Sequence, residues 1–189
     1  MNKSIFFFLL LPTLFSTAQT ERKLYLSKLG WSISIPDIYK ISDTLQNNGR
    51  FDREEKWGSE DISSFPDNKL FTIEKNSISF MAATLIPYDS SKDGEWTAFV
   101  SKSSFLLIKG MSETLTMDTT SSTEVISGLA FIRTDITFKF QKNVLLRGIN
   151  FTRQFKNHAL RIYLSFTKQE DAEKYLDILR KSTFVEGLR

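Results

Sequence analysis

The sequence predicts an α+β fold, an antiparallel sheet with helices packed on its faces. Two observations carry this. Residues 128–166 divide into three runs in which apolar side chains recur at every second position, the period of a strand with one buried face. Immediately afterwards Ala172, Tyr175, Leu176 and Leu179 fall on one stripe at helical spacing, so a helix closes the chain against the sheet those strands make.

The three runs form a meander. Its apolar positions are Ile132, Ile136, Phe138 and Phe140, then Leu145, Ile149, Phe151 and Phe155, then Leu160, Ile162, Leu164 and Phe166. A tight reversal at Gln141–Lys142 pairs Phe138 with Leu145 and Ile132 with Phe151. A second at Asn157–His158 pairs Phe155 with Leu160 and Phe151 with Leu164. In this register Ile136, Phe151 and Leu164 share one face, and a slip of one residue would turn the whole apolar set outward. Arg147 and Arg153 then fall on the apolar side. Either they lie near its rim with stems packed and heads in water, or the strand carries a bulge.

From the start, Asn2–Lys3, the apolar run at 5–11 and the small residues Ser16-Thr17-Ala18 have the three parts of a secretory signal peptide. About 20 apolar residues are needed to span a bilayer, so no transmembrane segment is expected in the mature form. The expected organisation is a leader at 1–18 and a single domain at 19–189, exported and then periplasmic or secreted. Without cysteine there is no disulfide, and stability must come from the core.

Residues 21–28 look like a polar lead. Trp31-Ser32-Ile33-Ser34-Ile35 alternates and stops at Pro36, as a short strand does. Residues 37–48 suit an irregular turn or a poor helix, and the charged stretch 49–67 a helix fragment and loop. Residues 70–74 and 78–86 suggest a hairpin turning at Lys75–Asn76 and closed by Pro87. Residues 89–94 are a polar turn, followed by a helix from Glu95 that Gly110 would stop. The Ser- and Thr-rich residues 114–124 read as a strand pair or an edge. Thr167-Lys168-Gln169-Glu170 fits a capping box for the last helix, and Thr183-Phe184-Val185 a final short strand.

The strand-plus-proline Trp31-Ser32-Ile33-Ser34-Ile35-Pro36 resembles the opening of PsbP-like domains. The central helix, the strands of 128–166 and the Lys181-Ser182-Thr183-Phe184 ending resemble them too. That superfamily includes the extrinsic photosystem P protein, a Ran-binding nuclear import factor and small exported bacterial proteins. The resemblance spans about residues 29–185, with no counterpart for the charged segment 50–61. It implies an α/β/α sandwich with no shared catalytic motif and a role as a binding or adaptor module, and it assigns no functional residue.

Composition narrows function further. Lys and Arg number 25 against 22 Asp and Glu, a balance read as solvated surface with charges scattered. No nucleic acid partner is expected, because such binders carry a basic stripe. One histidine and no cysteine provide neither a nucleophile–base pair nor a soft metal site, and the acids lack calcium-loop spacing. His158 reads as a solvated turn residue. The isolated glycines form no phosphate loop. No catalytic residue, metal or cofactor is therefore assigned. The candidate ligand or partner surface is the polar back of the meander, with Arg133, Asp135, Asn150, Arg161 and Tyr163 together. The favoured function is a non-enzymatic exported module for a protein partner or small ligand. The alternatives are a carboxylate-dependent hydrolase using Asp135 or the charged loop, and a lipid-binding carrier whose sheet closes into a barrel.

Overall fold

The computed structural model describes residues 20–42, 68–106, 115–155 and 157–185. In chain order they form β1 (Glu21–Leu26), β2 (Trp31–Pro36), β3 (Lys40–Ser42), β4 (Asn68–Glu74), β5 (Phe80–Pro87), α1 (Ser90–Asp93), α2 (Trp96–Leu106), β6 (Leu115–Ile126), β7 (Leu129–Phe140), β8 (Asn143–Phe155), β9 (His158–Phe166), α3 (Gln169–Lys181) and β10 (Thr183–Phe184). A seven-stranded antiparallel sheet runs β3-β4-β5-β9-β8-β7-β6, and a three-stranded one runs β1-β2-β10. The expected leader, the charged stretch 49–67 and Gly110 lie outside the described residues.

The large sheet packs α3 and the small sheet against one face. There Phe71, Met81, Phe151, Ile162 and Leu164 meet Trp31, Ile33 and Ile35 of β2 and Tyr175 and Leu179 of α3, all buried. Trp31 has no exposed surface and stacks on Phe184 across the β2–β10 pair, ring centroids 5.3 Å apart. The WSISIP alternation therefore supplies the second layer, and the short last strand expected at 183–185 completes it.

Several expectations need correction. The polar lead is strand β1, because Leu24 and Leu26 alternate into the core. The β4–β5 connection is five residues long, since Asn76 Oδ1 accepts from the amides of Ile78 and Ser79 and holds a wider loop. The polar turn at 89–94 contains α1, capped by Asp89. No capping box forms at α3: its N-cap is Lys168, without a side-chain bond. Glu170 and Asp171 in its first turn instead complement the helix dipole. His158 is the first residue of β9, half-buried and paired with Phe155 and Pro87, not a turn residue.

The largest correction concerns the meander. All three strands are present, and β6 joins them through Ser127-Gly128, both at positive φ as a tight hairpin turn favours. The β7–β8 pairing begins as expected, Phe140 with Asn143 and Lys139 with Val144, then shifts at a bulge so that Phe138 meets Leu146. Leu145 is the extra residue. Beyond it every pair moves by one, and Ile132 meets Thr152 rather than Phe151. The β8–β9 pairing is displaced by two, Phe151 facing Ile162, which preserves the face. Phe151 and Leu164 thus share the core face with Phe131, Arg133 and Asp135, whereas Ile136 points to the other side with Gly148. The expected single apolar face does not exist. Both faces are buried, the second through Thr134, Ile136, Phe138, Asn150 and Thr152. The rim account explains Arg147 and Arg153; β8 is also bulged, but at Leu145, which leaves both arginines in the row of Ile149 and Phe151. The arginines sit toward the ends of their row, Arg147 exposed and Arg153 half-buried with its guanidinium 5.5 Å from the Phe155 ring centroid.

Gly148 makes the register testable. A Cβ there would stand 2.7 Å from Tyr163 Oη and 2.8 Å from Cε2, because the tyrosine ring lies across the glycine. Gly148→Ala is expected to lower stability by about 1–3 kcal/mol through this overlap. In a Tyr163→Ala background the same change is expected to be neutral or stabilising, since only the strand entropy of glycine remains. Urea melts of the four proteins check this; an equal cost in both backgrounds contradicts the packing.

Candidate binding surface at the open sheet edge

The five residues singled out in the sequence occupy two faces. Arg133 and Asp135 alternate onto the core face of β7, beside its packed region. Arg133 Nε and Nη2 donate to the two oxygens of Asp135 at 2.8 and 2.7 Å, and Nη1 donates to Glu124 Oε2 of β6 at 2.8 Å. Arg180 Nε, in the last turn of α3, donates to the other Glu124 oxygen at 2.8 Å. Two guanidiniums and two carboxylates thus close a neutral brace between β6, β7 and α3. Burial pushes the Glu124 carboxyl up, but the bonds from Arg180 and Arg133 outweigh it and hold the group below its ordinary range. The bidentate bond it donates to Asp135, then the bond it donates to Glu124, hold Arg133 protonated.

Asn150, Arg161 and Tyr163 lie on the opposite face. Asn150 is fully buried and donates from Nδ2 to Thr152 Oγ1 at 3.1 Å. Tyr163 stands opposite Asn150 and meets Phe80 edge-on at 6.0 Å. Burial pushes its hydroxyl pKa up. Arg161 faces Thr152 and Thr84. The one-residue shift at Leu145 is why Arg133 and Asn150, expected side by side, are separated by the thickness of the sheet.

A third cluster escaped sequence reasoning. Asp171, buried in the first turn of α3, accepts from Lys75 Nζ at 2.6 Å, and the bond to Lys75 holds its carboxyl low. Tyr175 Oη donates to Ser79 O at 2.8 Å and accepts from the Lys75 amide at 3.2 Å, clasping the β4–β5 loop to the helix. A signal was available: Asp171 precedes Tyr175 by four residues and so lies in phase with the buried stripe, where a carboxylate requires a partner.

Among the described residues the large sheet is open along one margin. β6 pairs in unbroken register with β7 over twelve residues, and no described strand covers its other side. Residues 118–123 are exposed on both faces. The expectation of an edge at 114–124 is met. Among the described residues no helix is long and apolar enough to cross a membrane, and no group of three His, Asp or Glu is placed to hold a metal ion.

With that geometry in hand, comparison gives the class of fold. No protein-family model matches the chain, and no curated protein matches its sequence. The solution structure of cyanobacterial PsbP (CyanoP) from Synechocystis sp. PCC 6803 is similar, with a TM-score of 0.57 at 10% identity, over 90% of this chain and 96% of that one. The chain has a PsbP-like fold.

The two carboxylates that tie α3 to the sheet, Glu124 and Asp171, both have depressed pKa values and set an acid limit. Each contributes stability that is present above its unfolded pKa of about 4 and is lost as pH falls through the lower folded value. Stability is therefore expected to decline from about pH 5 toward pH 2. In a Glu124→Gln/Asp171→Asn variant the protein should be less stable at neutral pH, and the decline shallower. Denaturant midpoints across that range check this; parallel profiles contradict it.

Proposed function

We propose that this protein is a non-enzymatic, exported binding or adaptor module that recognises an extended segment of a protein partner by strand addition along β6. The carrying observation is the open edge. Unpaired edge amides and carbonyls template another strand, and proteins that avoid such pairing blunt their edges with lysine, proline, bulges or short strands. β6 lacks these four devices: it is twelve residues long, free of Lys and Pro, and in continuous register with β7, and its two charges, Asp118 and Glu124, are each paired with a cation. The edge strand at the other side, β3, has three residues. Arg133 and Asp135 flank β6 on one face, where Asp135 stands opposite Thr120 and remains 40% exposed. The brace through Glu124 would hold the edge straight for an incoming strand. Export rests on the leader features of residues 1–18, and implies a periplasmic or secreted site of action.

The two alternatives have less support. Asp135, the described acid the hydrolase reading relied on, gives both oxygens to Arg133. A carrier of the closed-barrel kind needs β6 to pair with the far edge, and the described strands leave the sheet open.

Extended peptides selected from a displayed library against the protein are expected to slow amide exchange in β6. Thr119→Lys with Thr123→Lys is expected to weaken their binding about tenfold, 1.4 kcal/mol, with little change in melting temperature. Peptides that protect another region, or bind the variant equally well, would contradict edge pairing.

A further inference from the structure

We propose a second contact surface, independent of β6 pairing: the tip of the β7–β8 hairpin docks on an anionic phospholipid bilayer. Three observations converge there. First, the tip reaches beyond its neighbour. β8 meets β9 only from Arg147, opposite Phe166, so residues 143–146 extend past the end of β9, about 13 Å of strand. Second, the tip is apolar where it is most exposed. Phe140, Val144 and Leu145 are 42%, 42% and 51% exposed, and Leu145, as the bulge residue, has no cross-strand partner. Exposed apolar side chains gathered at one end of a hairpin mark an interaction site more often than the same residues scattered singly.

Third, the charge around the tip is net positive, with Lys139, Lys142 and Arg147 against Asp118. The nearly balanced total conceals a segregated stretch: residues 136–169 carry Lys139, Lys142, Arg147, Arg153, Lys156, Arg161 and Lys168 and no Asp or Glu. Over this stretch, under a fifth of the chain, the charged side chains are all cationic. Lys142 occupies the turn itself and Arg147 the exposed base of the tip. Lys139 is paired with Asp118 of β6, so the remaining field at the tip is that of Lys142 and Arg147.

An apolar end with a cationic collar suits the boundary between headgroups and acyl chains. The apolar side chains enter the acyl region while the cations meet lipid phosphates. A groove on a protein would satisfy the apolar residues alone; the collar, net positive after Asp118 pairs with Lys139, selects an anionic surface. Val125, also exposed, lies at the opposite end of β6 and would stay in water.

The absence of cysteine makes the test direct. An environment-sensitive fluorophore is attached to the full chain through Leu145→Cys or, as control, Val125→Cys. Each protein is mixed with vesicles of phosphatidylglycerol and phosphatidylcholine, or of phosphatidylcholine alone. Emission from position 145 is expected to shift to the blue on the anionic vesicles only, and position 125 not to respond. Removing Lys142 and Arg147 charge with Lys142→Gln and Arg147→Gln should weaken the response about fivefold per cation. These exposed substitutions leave the core untouched, so a folded variant remains to be compared. The proposal is overturned by no shift, by equal shifts at both positions or on both vesicles, or by indifference to charge removal. It is equally overturned by a shift that grows with protein concentration without vesicles, which would assign the tip to a second copy of the chain.

Discussion

Leu145 stands in β8 with no residue opposite it, and the phase of the β7–β8 pair follows from that single insertion. Side chains in a strand alternate between faces, so one extra residue exchanges the two faces of everything paired beyond it. In β7 the exchange turns Ile136 and Phe138 away from α3 and brings Arg133 and Asp135 to the side that carries Phe151 and Leu164. The large sheet consequently buries apolar side chains on both faces. It also places a guanidinium within reach of Glu124 and, through it, of Arg180 on α3. The bulge therefore sets the core, the ionic brace and the exposed tip at once.

Much of this architecture was legible from periodicity. The strands of 128–166, the helix after them with its buried stripe, the alternating WSISIP strand and the edge character of 114–124 are local patterns, each written into a few neighbouring residues. What escaped was non-local. Nothing in residues 137–148 announces that Leu145 rather than a loop residue absorbs the odd position, because period-two alternation is intact on either side of it. The apolar rows of β7 and β8 are each consistent with a shared face, and only their mutual pairing decides otherwise. For the same reason the five candidate residues were grouped by a register that the bulge breaks. β1 was missed because only two of its six side chains, Leu24 and Leu26, enter the core.

The two proposed contact surfaces adjoin one another. The part-exposed brace and the Lys75–Asp171–Tyr175 clasp fasten α3 to the sheet, and both are satisfied internally. The backbone groups along β6 that no described strand pairs lie beside the β7–β8 tip, where three exposed apolar side chains, Phe140, Val144 and Leu145, are grouped. A module built this way presents a line of hydrogen-bonding groups next to an apolar, cationic end. The two could act together if a partner held at the edge is itself at a membrane surface.

Cross-linking in the cysteine-free chain tests the bulge most directly. Thr137 faces Arg147 in the bulged register and would face Leu146 without it, and facing Cα atoms lie within the span a disulfide bridges. Thr137→Cys with Arg147→Cys is expected to oxidise readily to an intramolecular disulfide in the folded protein, and Thr137→Cys with Leu146→Cys to remain reduced. The reverse outcome would restore the unbulged pairing, return Arg133 and Asn150 to one face, and contradict the division of surfaces described above.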